Sequence, residues 1–354
     1  MKIQQAFIPN LGASIQPCYN PDMQLADLGE FELIDRLASI VQKKCQPPTQ
    51  SWQDLILGIG DDAATWQNES GQSLATTDCL VESVHFTKNI ISWHDLGWKA
   101  LAVNLSDIAA MGGRPRYALI TIGLPRETQA DEVLQLYIGM TELAEKYETA
   151  IVGGDVSAAP AVFINVTVIG HAGSHVLTRS AARPGEVIAV TGNLGSAAGG
   201  LRLLQEPSTP DKADEALCQA FLKPTPRLEI GTLLVAEGVR CAIDVSDGLA
   251  ADLGHICRQS GVGAVLETVR LPIHPALSAT FGSEALTFAL SGGEDYELLF
   301  TAPAEVVERV AAKAPCPVTI IGTVSAENPG RFSVLDSNNN TLSIDYRGWQ
   351  HFAH

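Results

Sequence analysis

Apolar positions along this chain switch between two periods, and the switches outline its elements. From Gly29 to Cys45, Phe31, Ile34, Leu37 and Val41 recur every three or four residues, which predicts an amphipathic helix. Short apolar runs at 54–59, 73–77, 116–122, 149–152 and 161–170 predict strands, the last strongly β-branched in A-V-F-I-N-V-T-V-I-G. Helical spacing returns over 93–111, stopped by Gly112-Gly113, and again over 128–147. Two helices among several strands predict an α+β layer with the helices on one face. The pattern breaks around 172–185 at A-G-S-H and A-R-P-G-E, a candidate domain junction. Beyond it, strands are expected at 186–191, 240–244, 262–267, 296–301 and 317–322. Helices are expected at 195–205, 211–221, 226–237, 247–259 and 303–313. The expected division is a proline-interrupted extension (1–28), an N-terminal domain (29–172) and a C-terminal α/β domain (173–354).

Length changes this picture little, since 354 residues suit two domains. Charge narrows it. A formal net charge of -17 argues against a nucleic-acid partner, because phosphate backbones call for basic surface. The seven cysteines are dispersed and form no C-x-x-C, so they predict reduced thiols rather than a disulfide frame or a zinc site. No apolar stretch approaches the roughly 20 residues of a membrane span, and the first residues lack a signal-peptide core. A soluble, cytoplasmic protein is expected.

The acids carry the chemistry. Asp61, Asp62, Asp78, Asp107, Asp155, Asp244 and Asp247 stand where apolar runs end or glycines begin: L-G-I-G-D-D-A-A, L-A-T-T-D, N-L-S-D-I-A-A-M-G-G, A-I-V-G-G-D and A-I-D-V-S-D-G-L. Almost no basic residue stands beside them. Carboxylates gathered in apolar surroundings repel one another and lose hydration unless a cation compensates. Oxygen-only ligands suit hard Mg²⁺ or Ca²⁺ rather than zinc, and Mg²⁺ is the one that keeps waters and bridges to substrate phosphates. Asp107 lies on one helical stripe with Leu96, Ala100, Val103, Ala110 and Met111, which places a carboxylate in an apolar face.

Each motif also has a plain structural reading. Asp107 could cap a strand or pair with Arg114 or Arg116. G-I-G-D-D could be a turn, and Ser246 or Asp247 a helix N-cap. His85 could be a satisfied structural histidine, and S-G-G-E-D-Y-E-L (291–298) a turn. T-G-N-L-G-S-A-A-G-G (191–200) could cradle an anion at a helix start, or be a tight strand-to-helix turn. The chain contains no Walker A sequence, so a P-loop kinase is excluded.

Together these strings resemble the thiamine-monophosphate kinase family, within the aminoimidazole-ribonucleotide-synthetase-like superfamily. The likeness runs in order over residues 29–352 through G-E-F-E-L-I, G-I-G-D-D-A-A, T-T-D-x-L-V-E-x-V-H-F, K-A-L-A-V-N-L-S-D-I-A-A-M-G, L-T-R-S-x-A-R-P-G-E, A-I-D-V-S-D-G-L-A-x-D-L and L-S-G-G-E-D-Y-E-L. The resemblance implies two α/β domains, with the N-terminal domains pairing through their sheets in a homodimer. It implies transfer of the ATP γ-phosphoryl group to thiamine monophosphate. By motif, Asp62, Thr76, Thr77, Asp78, Asp107, Asp155, Asp244 and Asp247 would hold Mg²⁺, with Asp62, Asp107 and Asp244 central to catalysis. Gly154, Asp155, Arg179, Ser246 and Tyr137 would contact ATP. His85, Glu294 and Trp349 would contact the thiamine phosphate, with Asp61 behind the ligands. Two other readings stay open: another ATP-using enzyme of the superfamily, and a non-catalytic Mg-nucleotide-binding protein.

Overall fold

The computed structural model describes residues 72–173, 175–206 and 214–342, with isolated positions between 33 and 66. The expectations at Asp61, Asp62 and Trp349 lie outside the described residues. Leu33, Leu37 and Val41 are helical and buried, as the spacing of the 29–45 segment requires.

In the first half, β1 (Leu55–Leu57) pairs with the short β2 (Thr65–Trp66), apart from the main sheets. The elements that follow are β3 (Gln72–Val81), α1 (Trp93–Ala110), β4 (Arg114–Leu124), α2 (Ala130–Lys146), β5 (Ala150–Ala158) and β6 (Phe163–Ala172). The four strands β3 to β6 form one sheet in the order β3-β6-β4-β5, with only the β4–β5 pair parallel. Alternate residues of β6 (Ile164, Val166 and Val168) are fully buried. That is the period-two signature of a sheet with one face on the core.

In the second half come β7 (Val187–Thr191), α3 (Ser196–Gln205), α4 (Glu215–Leu222), α5 (Leu228–Ala236), β8 (Cys241–Asp244), α6 (Leu249–Ser260) and β9 (Gly263–Glu267). They are followed by α7 (Pro275–Phe281), α8 (Glu284–Ser291), β10 (Leu298–Ala302), α9 (Ala304–Lys313), β11 (Val318–Ser325) and β12 (Phe332–Leu335). Six of these strands form a sheet ordered β12-β9-β11-β7-β10-β8, antiparallel except where β12 joins β9.

Helix α1 joins the halves. It packs on α2, β3 and β6 of its own half, and on α5 and β8 of the other. Thirteen of its eighteen residues are buried, so the expected apolar stripe is in fact a helix covered on nearly every side. Its polar residues Lys99, Asn104 and Ser106 are buried with the rest. Asp107 is half-buried on the same helix.

Candidate active site

Three carboxylates converge from three elements. Strand alternation puts Thr76 and Asp78 on one face of edge strand β3 and Thr77 on the other. The Thr76 hydroxyl donates to Asp107 Oδ2 at 2.5 Å, linking β3 to α1. Asp107 therefore does not make the strand cap or arginine pair considered from sequence; Arg116 pairs with Asp54 instead. Asp244 is the last residue of β8 and 2% exposed. It accepts from the Ser106 hydroxyl at 2.8 Å, one position before Asp107 on α1. Neighbouring residues of one helix thus bond a hydroxyl of one sheet and a carboxylate of the other.

The electrostatics follow from this crowding. Burial first, then the charge of Asp107, raises Asp244 to about 7, against the pull of Ser106 and Arg179. Partial burial, then the charges of Asp107 and Asp247, raises Asp78 to about 6, although the residue is exposed on its edge strand. Burial raises Asp107 too, opposed by the Thr76 hydrogen bond and by Arg179. Exposed Arg179, on the segment between the sheets, is the cation whose charge reaches Asp107, Asp244 and Asp252.

The turn after β8 is shaped from behind. Helix α6 begins at an N-cap glycine, Gly248, so neither Ser246 nor Asp247 caps it. The Asp247 amide donates to Asp252 Oδ2 at 3.2 Å. Burial and the charges of Asp244 and Asp247 push Asp252 to about 8. The 292–297 segment lies on this turn. Glu294 N donates to Ser246 O at 2.8 Å, and Tyr296 N to Val245 O at 2.9 Å. A Cβ on Gly293 would come 2.5 Å from Ser246 O, so this close approach needs glycine. Glu294 and Tyr296 hold positive φ values of 65° and 51°, an uncommon backbone state for side chains of this size.

This donor set fits Mg²⁺: it is all oxygen, anionic, and raised in pKa by burial and, for Asp78 and Asp244, by neighbouring carboxylates, both of which a divalent ion would offset. Among the described residues, no three Asp, Glu, His or Cys side chains already close into a cage. A magnesium ion that keeps its waters and shares ligands with a phosphate needs none.

Residues 60–172 match the N-terminal domain of the AIR synthase related protein family, and residues 183–334 match its C-terminal domain. The thiamine-monophosphate kinase of Bacillus subtilis (strain 168) is 35% identical over 334 residues, covering 92% of this chain and 100% of the relative. That of Escherichia coli (strain K12) is 38% identical over 335 residues, covering 92% and 98%. The chain belongs to the thiamine-monophosphate kinase family. The crystal structure of the family member from Stenotrophomonas maltophilia K279a superposes with a TM-score of 0.77 at 39% identity, over 84% of this chain and 95% of that one. A second, described as AaThiL complexed with AMPPCP and TMP, gives 0.72 at 34% identity, over 93% and 99%. Hydrogenase maturation protein HypE, at 20% identity and a TM-score of 0.71, shares the fold.

Not every residue singled out by the family likeness joins the acid cluster. The Thr77 hydroxyl turns to the opposite face of β3, towards Val166 O at 3.1 Å and Thr167 Oγ1 at 3.0 Å. Gly154 and Asp155 lie mid-strand on β5, the far edge of the sheet from Asp78. Three strand spacings, roughly 14 Å, separate those edges. Asp155 Oδ2 accepts from Ser157 Oγ at 3.0 Å. Tyr137 on α2 is 5% exposed, within the apolar core. Burial raises its phenol well above the usual range. His85 follows β3, and its Nδ1 accepts from Val81 N at 3.0 Å. The glycine-rich turn at 191–200 is already served. Gly195 N and Ala197 N donate to Asp295 at 2.6 and 3.1 Å, so an internal carboxylate takes the place considered for an anion.

Ser106, Asp252 and Lys99 also belong to these surroundings, though none of them stands out in the sequence as a ligand. Asp252 stands inside a quoted family string (A-I-D-V-S-D-G-L-A-x-D-L), and its apolar neighbours were a usable signal.

Proposed function

We propose that this protein is a thiamine-monophosphate kinase, transferring the γ-phosphoryl group of ATP to thiamine monophosphate to give thiamine diphosphate. The observation that carries the reading is the meeting of Asp78, Asp107 and Asp244 from both sheets. It occurs in a chain that matches kinases of that name over nearly its full length.

The acceptor is a phosphate monoester, largely dianionic at neutral pH because its second pKa is near 6. It is already a nucleophile, so no side chain has to remove a proton. The obstacle is repulsion between two anions, and catalysis reduces to charge neutralisation and positioning. Asp62, Thr76, Thr77, Asp78, Asp107, Asp155, Asp244 and Asp247 would hold Mg²⁺, which supplies that neutralisation when bound. Arg179 adds a guanidinium on the open side. Thr76 and Ser106 orient the carboxylates of Asp107 and Asp244 from behind. Gly154, Asp155, Arg179, Ser246 and Tyr137 are proposed to contact ATP, and His85, Glu294 and Trp349 the thiamine phosphate. These ligand roles rest on family likeness, and those of Asp78, Asp107 and Asp244 on geometry as well. We place the enzyme in the cytoplasm as a homodimer. The proposed domain boundary is at 172/173, between β6 of the four-stranded sheet and the linker to β7 of the six-stranded one.

The test is direct. Purified protein is incubated with ATP, MgCl₂ and thiamine monophosphate, and thiamine diphosphate is measured. Chelating the metal should abolish turnover. ATP hydrolysis without thiamine diphosphate, or nucleotide binding without turnover, would move the assignment to another activity of the superfamily or to a non-catalytic role.

A further inference from the structure

Lys99 is a buried cation that the phosphoryl-transfer chemistry above does not use. It lies in the middle of α1 and is 2% exposed. Its ammonium sits over the face of Phe221 on α4, 3.4 Å from the ring centroid, and 3.1 Å from Glu294 Oε1. The contact is off hydrogen-bond geometry, and Nζ has no other hydrogen-bond partner among the described residues. A Met or Leu would fill this volume without the desolvation cost of a buried charge, so packing does not account for a lysine here. Its partner does. Glu294 is fixed by its backbone on Ser246, beside Asp244 and Asp247, in a left-handed conformation. Its carboxylate is 29% exposed, so it faces solvent as well as Lys99.

We infer that Lys99 is a positioning residue for acceptor recognition, acting through Glu294, with which it forms an ion pair between the helix of one sheet and the turn of the other. A carboxylate offers about four lone-pair directions, and an ion pair on one side leaves the others for a ligand N–H. With its charge balanced from within, Glu294 presents an aimed hydrogen-bond acceptor rather than an isolated negative charge. Such a group selects an amino-bearing heterocycle by geometry. The inference rests on thiamine monophosphate being the acceptor.

The test is a double-mutant cycle on the full-length protein, reading KM for thiamine monophosphate and for ATP in K99M, E294Q and K99M/E294Q. The K99M change should raise KM for thiamine monophosphate roughly tenfold, the scale of one hydrogen bond to a charged group. KM for ATP should stay within about twofold, and K99M should add little once Glu294 is already Gln. If K99M does not fold, K99R takes its place in the same cycle, since it keeps the charge but moves the carboxylate. Equal changes in both KM values, or a full effect of Lys99 replacement in the E294Q background, would overturn the inference. A wild type unable to phosphorylate thiamine monophosphate would sink the functional reading first, and this inference with it.

Discussion

The Asp107 carboxylate accepts a hydrogen bond from Thr76 and shares its surroundings with Asp244 and Arg179. Asn keeps its shape and removes its charge. Asp107→Asn should therefore melt within a few degrees of wild type while kcat falls on the order of 100-fold or more, as when a preorganised electrostatic group is lost. Near-normal turnover in the folded variant would remove Asp107 from the ligand set. The cluster also sets a pH signature. Asp78, Asp244 and Asp252 have folded-state pKa values raised to about 6, 7 and 8, above the unfolded value near 4. The folded protein then binds more protons than the unfolded chain across that window. Their contribution to stability is complete below pH 4 and is lost as pH rises towards 8. A divalent ion that binds the deprotonated groups should reverse the loss. The rise in Tm on adding MgCl₂ should thus be larger at pH 8 than at pH 5.5, and an equal or smaller rise at pH 8 would contradict the assignment. Lysine and serine were the hard residues to read from sequence. A Lys in a helix normally faces water, and Glu294 and Asp244 are too distant along the chain to betray Lys99 and Ser106. Aspartates inside apolar runs are conspicuous by themselves.

The α1–α2 packing depends on two glycines, one on each helix. A Cβ at Gly139 would stand 1.9 Å from His94 O, and one at Gly97 1.8 Å from Leu136 O, so the backbones touch. Gly139→Ala gains about 1 kcal/mol of helix propensity but forces a backbone clash, and overpacking costs about 1–3 kcal/mol or more. The clash should win. Urea unfolding should show a lower midpoint with an unchanged slope, and a raised midpoint would mean the helices can part freely. Most elements were legible because β-branched runs and 3.6-residue spacing are strong local signals. The strand expected at 73–77 runs over Gln72–Val81, so T-T-D lies within it rather than at its end. Helices α7 and α8 and strand β12 were missed. The two helices are only seven and eight residues long, and β12 is a four-residue edge strand whose partner β9 lies some 70 residues earlier. The single-stripe expectation for α1 failed because its second face is covered by α5 and β8, which no local window contains.

For the whole molecule, a homodimer is the proposed state. The apolar residues Ile164, Val166 and Val168 of β6 are buried in the protein's own core, so they offer no face to a partner. A partner would meet the other face of the sheet, where Leu119, Phe163 and Ile169 are half-buried. Light scattering at micromolar concentration should return twice the chain mass, and a monomer would count against the proposal. Direct transfer also predicts that no phosphoenzyme forms, since the acceptor needs no covalent relay. Incubation with γ-labelled ATP and no acceptor, followed by denaturation, should leave the protein unlabelled. Stoichiometric label would refute the direct route.

Helix α1 has a further consequence, for biosynthesis. Its buried lysine and its serine leave the ribosome long before their partners: Asp244 is about 140 residues later and Glu294 about 200. At roughly 5–20 residues per second, α1 waits on the order of 10–40 s before Glu294 has been made. Through that interval a nascent chain would carry a mostly apolar helix with one side uncovered, a natural target for chaperones and a point where truncated products would aggregate.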